Sequence, residues 1–221
     1  MHSEQSMIDD LFTEQSRGGR DAIGTQAFVL RGFALPVVGE LLPEIDSVQQ
    51  HSPFRNMVTP GGFMMSVALT NCGRLGWTTD RNGYRYTKVD SDTQRPWPAL
   101  PAPFLRLAHA AAEAAEFPDF EPDACLINRY PPGSRLSLHQ DKDELDFDAP
   151  VVSVSLGMPA VFLFGGHKRN DGTARIPLYH GDVVVWGGVD RLRYHGVLPL
   201  KREPHPLLGS QRINFTFRKA G

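Results

Sequence analysis

The sequence predicts a mainly β protein, an antiparallel sandwich or jelly roll with flanking helices, and three features carry that expectation. Short runs of β-branched and aromatic residues follow one another after Cys125 with no helical pattern between them. Two helical patterns lie in the first half of the chain. The 221 residues, 41% hydrophobic and 22% charged, are enough for one substantial core.

Residues 1–25 are polar and glycine-containing without sustained periodicity, and are expected to form a mobile tail ahead of a single domain over residues 26–221. From Pro36 to Gln50 the residues Val37, Val38, Leu41, Leu42, Ile45 and Val48 recur at three- and four-residue intervals, which predicts an amphipathic helix opened by proline. Residues 53–101 are irregular, aromatic and rich in Gly and Pro. Within them Asn82-Gly83, flanked by Trp77, Tyr84 and Tyr86, signals a hairpin turn. An alanine-rich helix is expected from about Pro103 to Phe117, and both helices should pack against a sheet. The segments CLINRY, PVVSVSLG, AVFLFGG, RIPLYHGDVVVWGG, RYHGVLPL and RINFTFRK then read as strands punctuated by Pro, Gly, Asn and Asp. Strands so spaced, without crossover helices, argue against a parallel βαβ sheet.

Charge narrows the function. The net charge is −2, but residues 1–150 hold 13 Lys/Arg against 21 Asp/Glu, and residues 151–221 hold 10 against 4. A strongly basic protein that coats phosphates is excluded, whereas a local basic surface, such as the six basic against three acidic residues of 55–95, is compatible with the pattern. No apolar run approaches the ~18 residues that span a bilayer, and the acidic start MHSEQSMIDD lacks the positive charge of a signal peptide. A cytoplasmic protein with no membrane partner is expected. Cys72 and Cys125 make no C-x-x-C pair and read as buried thiols.

The chemistry-bearing residues begin with His139-Gln140-Asp141, followed 54 residues after Asp141 by His195 in RYHGV. In an extended segment alternate side chains leave one face about 7 Å apart, so His139 and Asp141 can converge on one ion if another strand delivers His195. Two imidazoles and a carboxylate on one face of an octahedral metal leave three positions open, as in non-haem iron(II) oxygenases. Alone, H-x-D is weak. The second constellation is Arg212–Arg218, RINFTFR: as a strand it places Arg212, Asn214, Thr216 and Arg218 on one face and Ile213, Phe215 and Phe217 on the other. An outer strand with hydrated arginines would look the same. Two guanidinium groups and an amide on one face also suit a dicarboxylate, because Arg pairs with carboxylate bidentately and keeps its charge. His180 and Asp182 form a similar-looking pair but read as a turn between strands; His167 and His205 lack a partner pattern, and Trp97, between prolines, reads as packing.

H-x-D, a distant H and R-x-N-x-x-x-R resemble, in order, the motif of the AlkB dioxygenases. TPGGFMMSVALTNCG, LGWTTDRNGY, PDACLINRYPPG, LSLHQDKDE, VSVSLG, FGGHKRND, HGDVVVWGG and RYHG also resemble segments of bacterial AlkB, so the likeness covers nearly everything from Phe28 to Lys219. It implies a double-stranded β-helix in which 53–101 forms an N-terminal nucleotide-recognition lid. It also implies that His139, Asp141 and His195 are the catalytic iron(II) ligands and that Arg212 holds the far carboxylate of 2-oxoglutarate. Asn128, Tyr130, Asn214 and Arg218 would complete the cosubstrate site; without the resemblance, Asn128 and Tyr130 read as an ordinary buried pair. Trp77, Tyr84, Asp143 and Arg169 would receive a flipped base, an aromatic face stacking it and the Asp143 carboxylate favouring cationic 1-methyladenine and 3-methylcytosine over neutral bases. Trp77 and Tyr84 also suit a core.

The implied reaction consumes O2 and 2-oxoglutarate, hydroxylates the N-linked alkyl carbon, and releases formaldehyde, succinate and the repaired base. The expected partner is alkylated DNA, preferably single-stranded, and the protein is expected to act as a monomer. Two alternatives stay open: an RNA or tRNA demethylase of the same class, and a non-enzymatic reader of modified bases. The lid departs from its bacterial relatives at places such as Leu69 and Asp80, which bears on lesion preference.

Overall fold

The computed structural model describes residues 18–221, so most of the expected tail lies outside the described residues. Its end does not: Arg20–Ala22 form strand β1, paired antiparallel with β2 (Ala27–Leu30), which corrects the tail boundary. Main-chain pairing, with Arg20 over the Phe28 ring, holds this segment, and three exposed polar-flanked residues give no periodic signal. A 3-10 turn at Leu35–Val37 leads into α1 (Val38–His51), which buries Val38, Leu41, Ile45 and Val48 as its periodicity predicts. The alanine-rich helix α2 spans Ala102–Ala114, ending a few residues short of Phe117.

The other strands are β3 (Arg55–Val58), β4 (Met64–Gly73), β5 (Gly76–Asp80), β6 (Gly83–Thr87), β7 (Ala124–Tyr130), β8 (Leu136–His139), β9 (Val151–Gly157), β10 (Ala160–Phe164), β11 (Ala174–Leu178), β12 (Val183–Trp186), β13 (His195–Val197) and β14 (Arg212–Arg218). Eight form a major sheet in the order β1-β2-β12-β9-β14-β7-β4-β3, and four a minor sheet, β11-β10-β13-β8. Among the described residues every pairing between these strands is antiparallel, in keeping with the absence of crossover helices after Cys125.

The two sheets face one another, and the resulting layers explain the residue patterns. Between them Val29, Val184 and Trp186 of the major sheet pack with Phe162, Phe164 and Ile176 of the minor one. On the outer face of the major sheet Val152, Val154, Phe215 and Phe217 meet Leu41, Ile45, Phe104 and Leu107 of the helices. A central strand covered on both sides reads as a continuous apolar run, hence VVVW, whereas VVSVSLG alternates, with Ser153 and Ser155 facing Asn214 and Arg212. It also settles β14: all seven of its residues are buried, so its polar face points into the space between the sheets and not to water.

Residues 53–101 contribute strands to the major sheet as well as the β5–β6 hairpin. β4 pairs along β7 from Ala68↔Arg129 to Gly73↔Ala124, and Leu69, expected on the lid, is fully buried in the sheet. The loop after β3 and the β5–β6 hairpin line the cavity through Thr59, Phe63, Trp77 and Tyr84. The hairpin turn sits one residue earlier than Asn82-Gly83 implied: Asp80 pairs with Gly83 across Arg81-Asn82, and the Asn82 N–H is held by Asp80 Oδ1 at 2.7 Å. Gly83, at φ 125°, opens β6 in a conformation disfavoured for other residues. Trp97 is buried against Gly76, where a Cβ would overlap its indole, and its Nε1 donates to the Thr87 carbonyl at 2.9 Å. The two cysteines are buried cross-strand neighbours, Cys72↔Cys125.

Candidate active site

The minor sheet brings the distant histidine home. β13 and β8 align His195 directly opposite His139, with ring centroids 4.3 Å apart. β8 ends at His139, so Asp141 lies just beyond the strand, yet its Oδ1 still reaches 3.6 Å from His139 Nε2 and 3.8 Å from His195 Nε2. The three candidate ligand atoms all lie within 4.8 Å of one another.

Neighbours set the chemical state of each group. His139 Nδ1 lies 2.9 Å from the Ser137 carbonyl and His195 Nδ1 3.0 Å from that of Arg193. A carbonyl only accepts, so both Nδ1 atoms carry a proton and both Nε2 atoms face Asp141. Burial, helped by His139, lowers the His195 pKa to about 3, so this imidazole is neutral at ordinary pH. Burial alone would raise the pKa of Asp141, but the charge of Arg218 overrides it and holds the carboxyl well below the usual range. Arg218 places Nε and Nη2 on Asp141 Oδ2 at 2.9 and 2.7 Å, which leaves Oδ1 facing the imidazoles. Two imidazoles and an oriented carboxylate are a donor set for a divalent first-row metal.

Deeper in the same cavity, of about 940 Å³, lies a different kind of site. Arg212 is 2% exposed, stands 4.9 Å over the Tyr130 ring and donates from Nη2 to Ser155 Oγ at 2.8 Å. Its Nε and Nη1 are buried without a hydrogen-bond partner among the described residues. A buried guanidinium with two unmet donors is costly unless an anion completes it. Asn214 is already engaged: its Nδ2 donates to Ser153 Oγ and the Val154 carbonyl, both at 2.8 Å, and its Oδ1 accepts from Thr216 at 3.1 Å. Asn128 pairs with Asn214 across β7 and β14 and lines the cavity with Tyr130.

At the mouth, Trp77 and Tyr84 of the hairpin are stacked, with centroids 5.5 Å apart and planes 19° apart. Trp77 Nε1 donates to Asp143 Oδ2 at 2.9 Å. Arg169 lies on the rim, 5.9 Å from the Tyr194 ring centre. All twelve residues singled out from the sequence therefore line one cavity.

Over residues 27–218 the chain matches the family model described as the 2OG-Fe(II) oxygenase superfamily. It is 58% identical over 212 residues to the alpha-ketoglutarate-dependent dioxygenase AlkB of Escherichia coli strain K12, covering 96% of this chain and 98% of that one. The chain is an AlkB dioxygenase of the 2OG-Fe(II) oxygenase superfamily. An AlkB homolog of Caulobacter vibrioides is 45% identical over 174 residues, spanning 77% of this chain and 76% of that one. The solved structure of OsALKBH1 superposes with a TM-score of 0.78 at 27% identity, over 91% of this chain and all of the other. The double-stranded β-helix expected from the resemblance is thus the observed fold. AlkB dioxygenases use iron(II), 2-oxoglutarate and O2, and the cavity suits them: a three-donor cluster for the metal and the unmet N–H groups of Arg212 for a carboxylate.

Sequence reasoning missed Glu144, Tyr86 and Arg191. In this AlkB chain Glu144 looks like one more acid in DKDELD, but it is 5% exposed and meets both Arg218 and Arg191 at 3.3 Å. The available signal was indirect: arginines within apolar strands must find an anion once buried. His180, read as a turn residue, does sit in the turn between β11 and β12, where its ring stacks on His205 at 4.1 Å.

Proposed function

We propose that this chain repairs DNA by oxidative dealkylation of N-alkylated bases, chiefly 1-methyladenine and 3-methylcytosine in single strands, in the cytoplasm and as a monomer. The observation that carries the reading is the convergence of His139, Asp141 and His195 beside a buried, incompletely paired Arg212 within one cavity. His139, Asp141 and His195 hold iron(II). Arg212 receives the far carboxylate of 2-oxoglutarate, with Tyr130, Asn128, Asn214 and Arg218 shaping the rest of that pocket. Once bound, the metal and cosubstrate supply O2 activation and hydroxylation of the N-linked carbon, after which the carbinolamine collapses to formaldehyde and the normal base.

The chain's own residues position, charge and dry the site. Arg218 keeps Asp141 ionised and turned toward the imidazoles, and the two backbone carbonyls hold each Nδ1–H so that each Nε2 faces Asp141. Trp77, with Tyr84, offers a flipped base an aromatic face, and Asp143, hydrogen-bonded to Trp77, sets a negative charge beside it. That charge favours a methylated, cationic base over a neutral one. Arg169 stands where it can meet the strand carrying the base. The relatives' names point the same way, including the mouse "Nucleic acid dioxygenase ALKBH1".

Mixing the protein with iron(II), 2-oxoglutarate and a 1-methyladenine oligonucleotide should yield unmethylated oligonucleotide, formaldehyde and succinate in equal amounts. Mass spectra unchanged from a sample lacking 2-oxoglutarate would defeat the proposal. The same lesion placed in RNA tests the RNA reading, and binding without turnover would favour a reader.

A further inference from the structure

Tyr86 and Glu144 have no part in the roles above, yet they join the base-reading hairpin to the ligand set. Tyr86 is the cross-strand partner of Trp77 and shares its inward face. Its hydroxyl donates to Glu144 Oε1 at 2.7 Å. Burial, the largest influence on this phenol, raises its pKa well above 10, so it stays a donor. Glu144 Oε1 also lies 3.3 Å from Arg218 Nε, and Oε2 3.3 Å from Arg191 Nη2. Arg218 continues to Asp141 Oδ2, while Arg191 Nη1 donates to the Asp141 carbonyl at 2.8 Å. One continuous set of polar groups thus runs from β6 to both ends of the Asp141 residue. In a buried network each bond polarises the next, so a break is felt along its length.

The hairpin is fastened to the loop between β8 and β9 at two adjacent points, Trp77 to Asp143 and Tyr86 to Glu144. A base stacking on Trp77 acts on the first, and any shift of β5 carries its paired strand, and with it the Tyr86 hydroxyl. We infer that Tyr86 and Glu144 are positioning residues that couple occupation of the base pocket to the setting of Asp141 and Arg218, and so to cosubstrate binding. The inference rests on the base pocket proposed above. Such coupling is reciprocal: an oligonucleotide that tightens 2-oxoglutarate binding must itself be tightened by 2-oxoglutarate to the same degree.

The test measures 2-oxoglutarate affinity by calorimetry on the manganese(II)-loaded protein without oxygen, with and without a 1-methyladenine trinucleotide. In the unaltered chain the oligonucleotide should tighten 2-oxoglutarate by at least about fivefold. In Tyr86→Phe that ratio should fall below about twofold, although each ligand still binds alone. A purely structural staple would lower the melting temperature and leave the ratio intact, and that result overturns the inference. So does a ratio of one in the unaltered chain that binds both ligands. Failure of the unaltered chain to bind the oligonucleotide sinks the base-pocket reading and the coupling with it. If Tyr86→Phe does not fold, Glu144→Gln is read by the same ratio: it keeps the volume and an acceptor for Tyr86 but weakens the hold on Arg218, and should reduce the ratio too.

Discussion

Replacing Arg212 with methionine separates folding from cosubstrate binding. Among the described residues the guanidinium makes one hydrogen bond, to Ser155, and one ring contact, to Tyr130, while Nε and Nη1 find no partner. Losing the bond and the contact costs about 2–4 kcal/mol. Removing a buried, incompletely compensated cation returns several kcal/mol, and methionine refills most of the volume. Burial lowers the Arg212 pKa, with Tyr130 opposing, which marks the same strain on the charged form. The two effects nearly cancel, so stability in urea should change by less than about 2 kcal/mol. Binding has no such compensation. Two charge-assisted bonds to a carboxylate contribute about 3–6 kcal/mol, which is roughly a 10²- to 10⁴-fold rise in Kd. Calorimetry with 2-oxoglutarate on the manganese-loaded variant measures that rise, and a Kd within about tenfold of the unaltered protein refutes the reasoning.

Asp143→Asn should weaken selection of a 1-methyladenine over an unmethylated oligonucleotide by no more than about tenfold, since the carboxylate is exposed and screened; competition binding reads this, and an unchanged preference removes Asp143 from lesion recognition. Gly76→Ala forces a Cβ into the Trp97 indole and should cost about 1–3 kcal/mol while raising KM for the oligonucleotide more than for 2-oxoglutarate, because the hairpin is displaced. Equal changes in both KM values would contradict that placement. Acidification should destabilise the metal-free chain between pH 6.5 and about 4, because burial, then His205, lowers the His180 pKa to about 4, and the unfolded state binds the extra proton in that window. Half-burial keeps the slope below the ~1.4 kcal/mol per pH unit of a fully shifted group. His180→Gln should flatten the dependence of urea midpoints on pH, and an unaltered slope would assign the effect elsewhere.

What the linear chain determined is local: the period of α1 and α2, the alternation in β14, the turn residues between strands, and the order of the H-x-D, H and R-x-N-x-x-x-R motifs. Each depends on neighbours a few positions away, which a sequence records directly. The family resemblance added the pairing of distant motifs into one site. Three-dimensional packing decided the rest. Arg20–Ala22 is a strand because β2 offers it hydrogen bonds, and β4 belongs to the major sheet because β7 lies beside it. The polar face of β14 is buried because a second sheet covers it, and covering is not written in a two-residue period. Glu144 could not be told from its exposed acidic neighbours, since its burial and its two arginine partners come from elements 47 and 74 residues away, brought together only when the chain closes. Local sequence encodes which way a side chain points along its own element; what stands opposite is a property of the assembled fold, and catalysis depends on both.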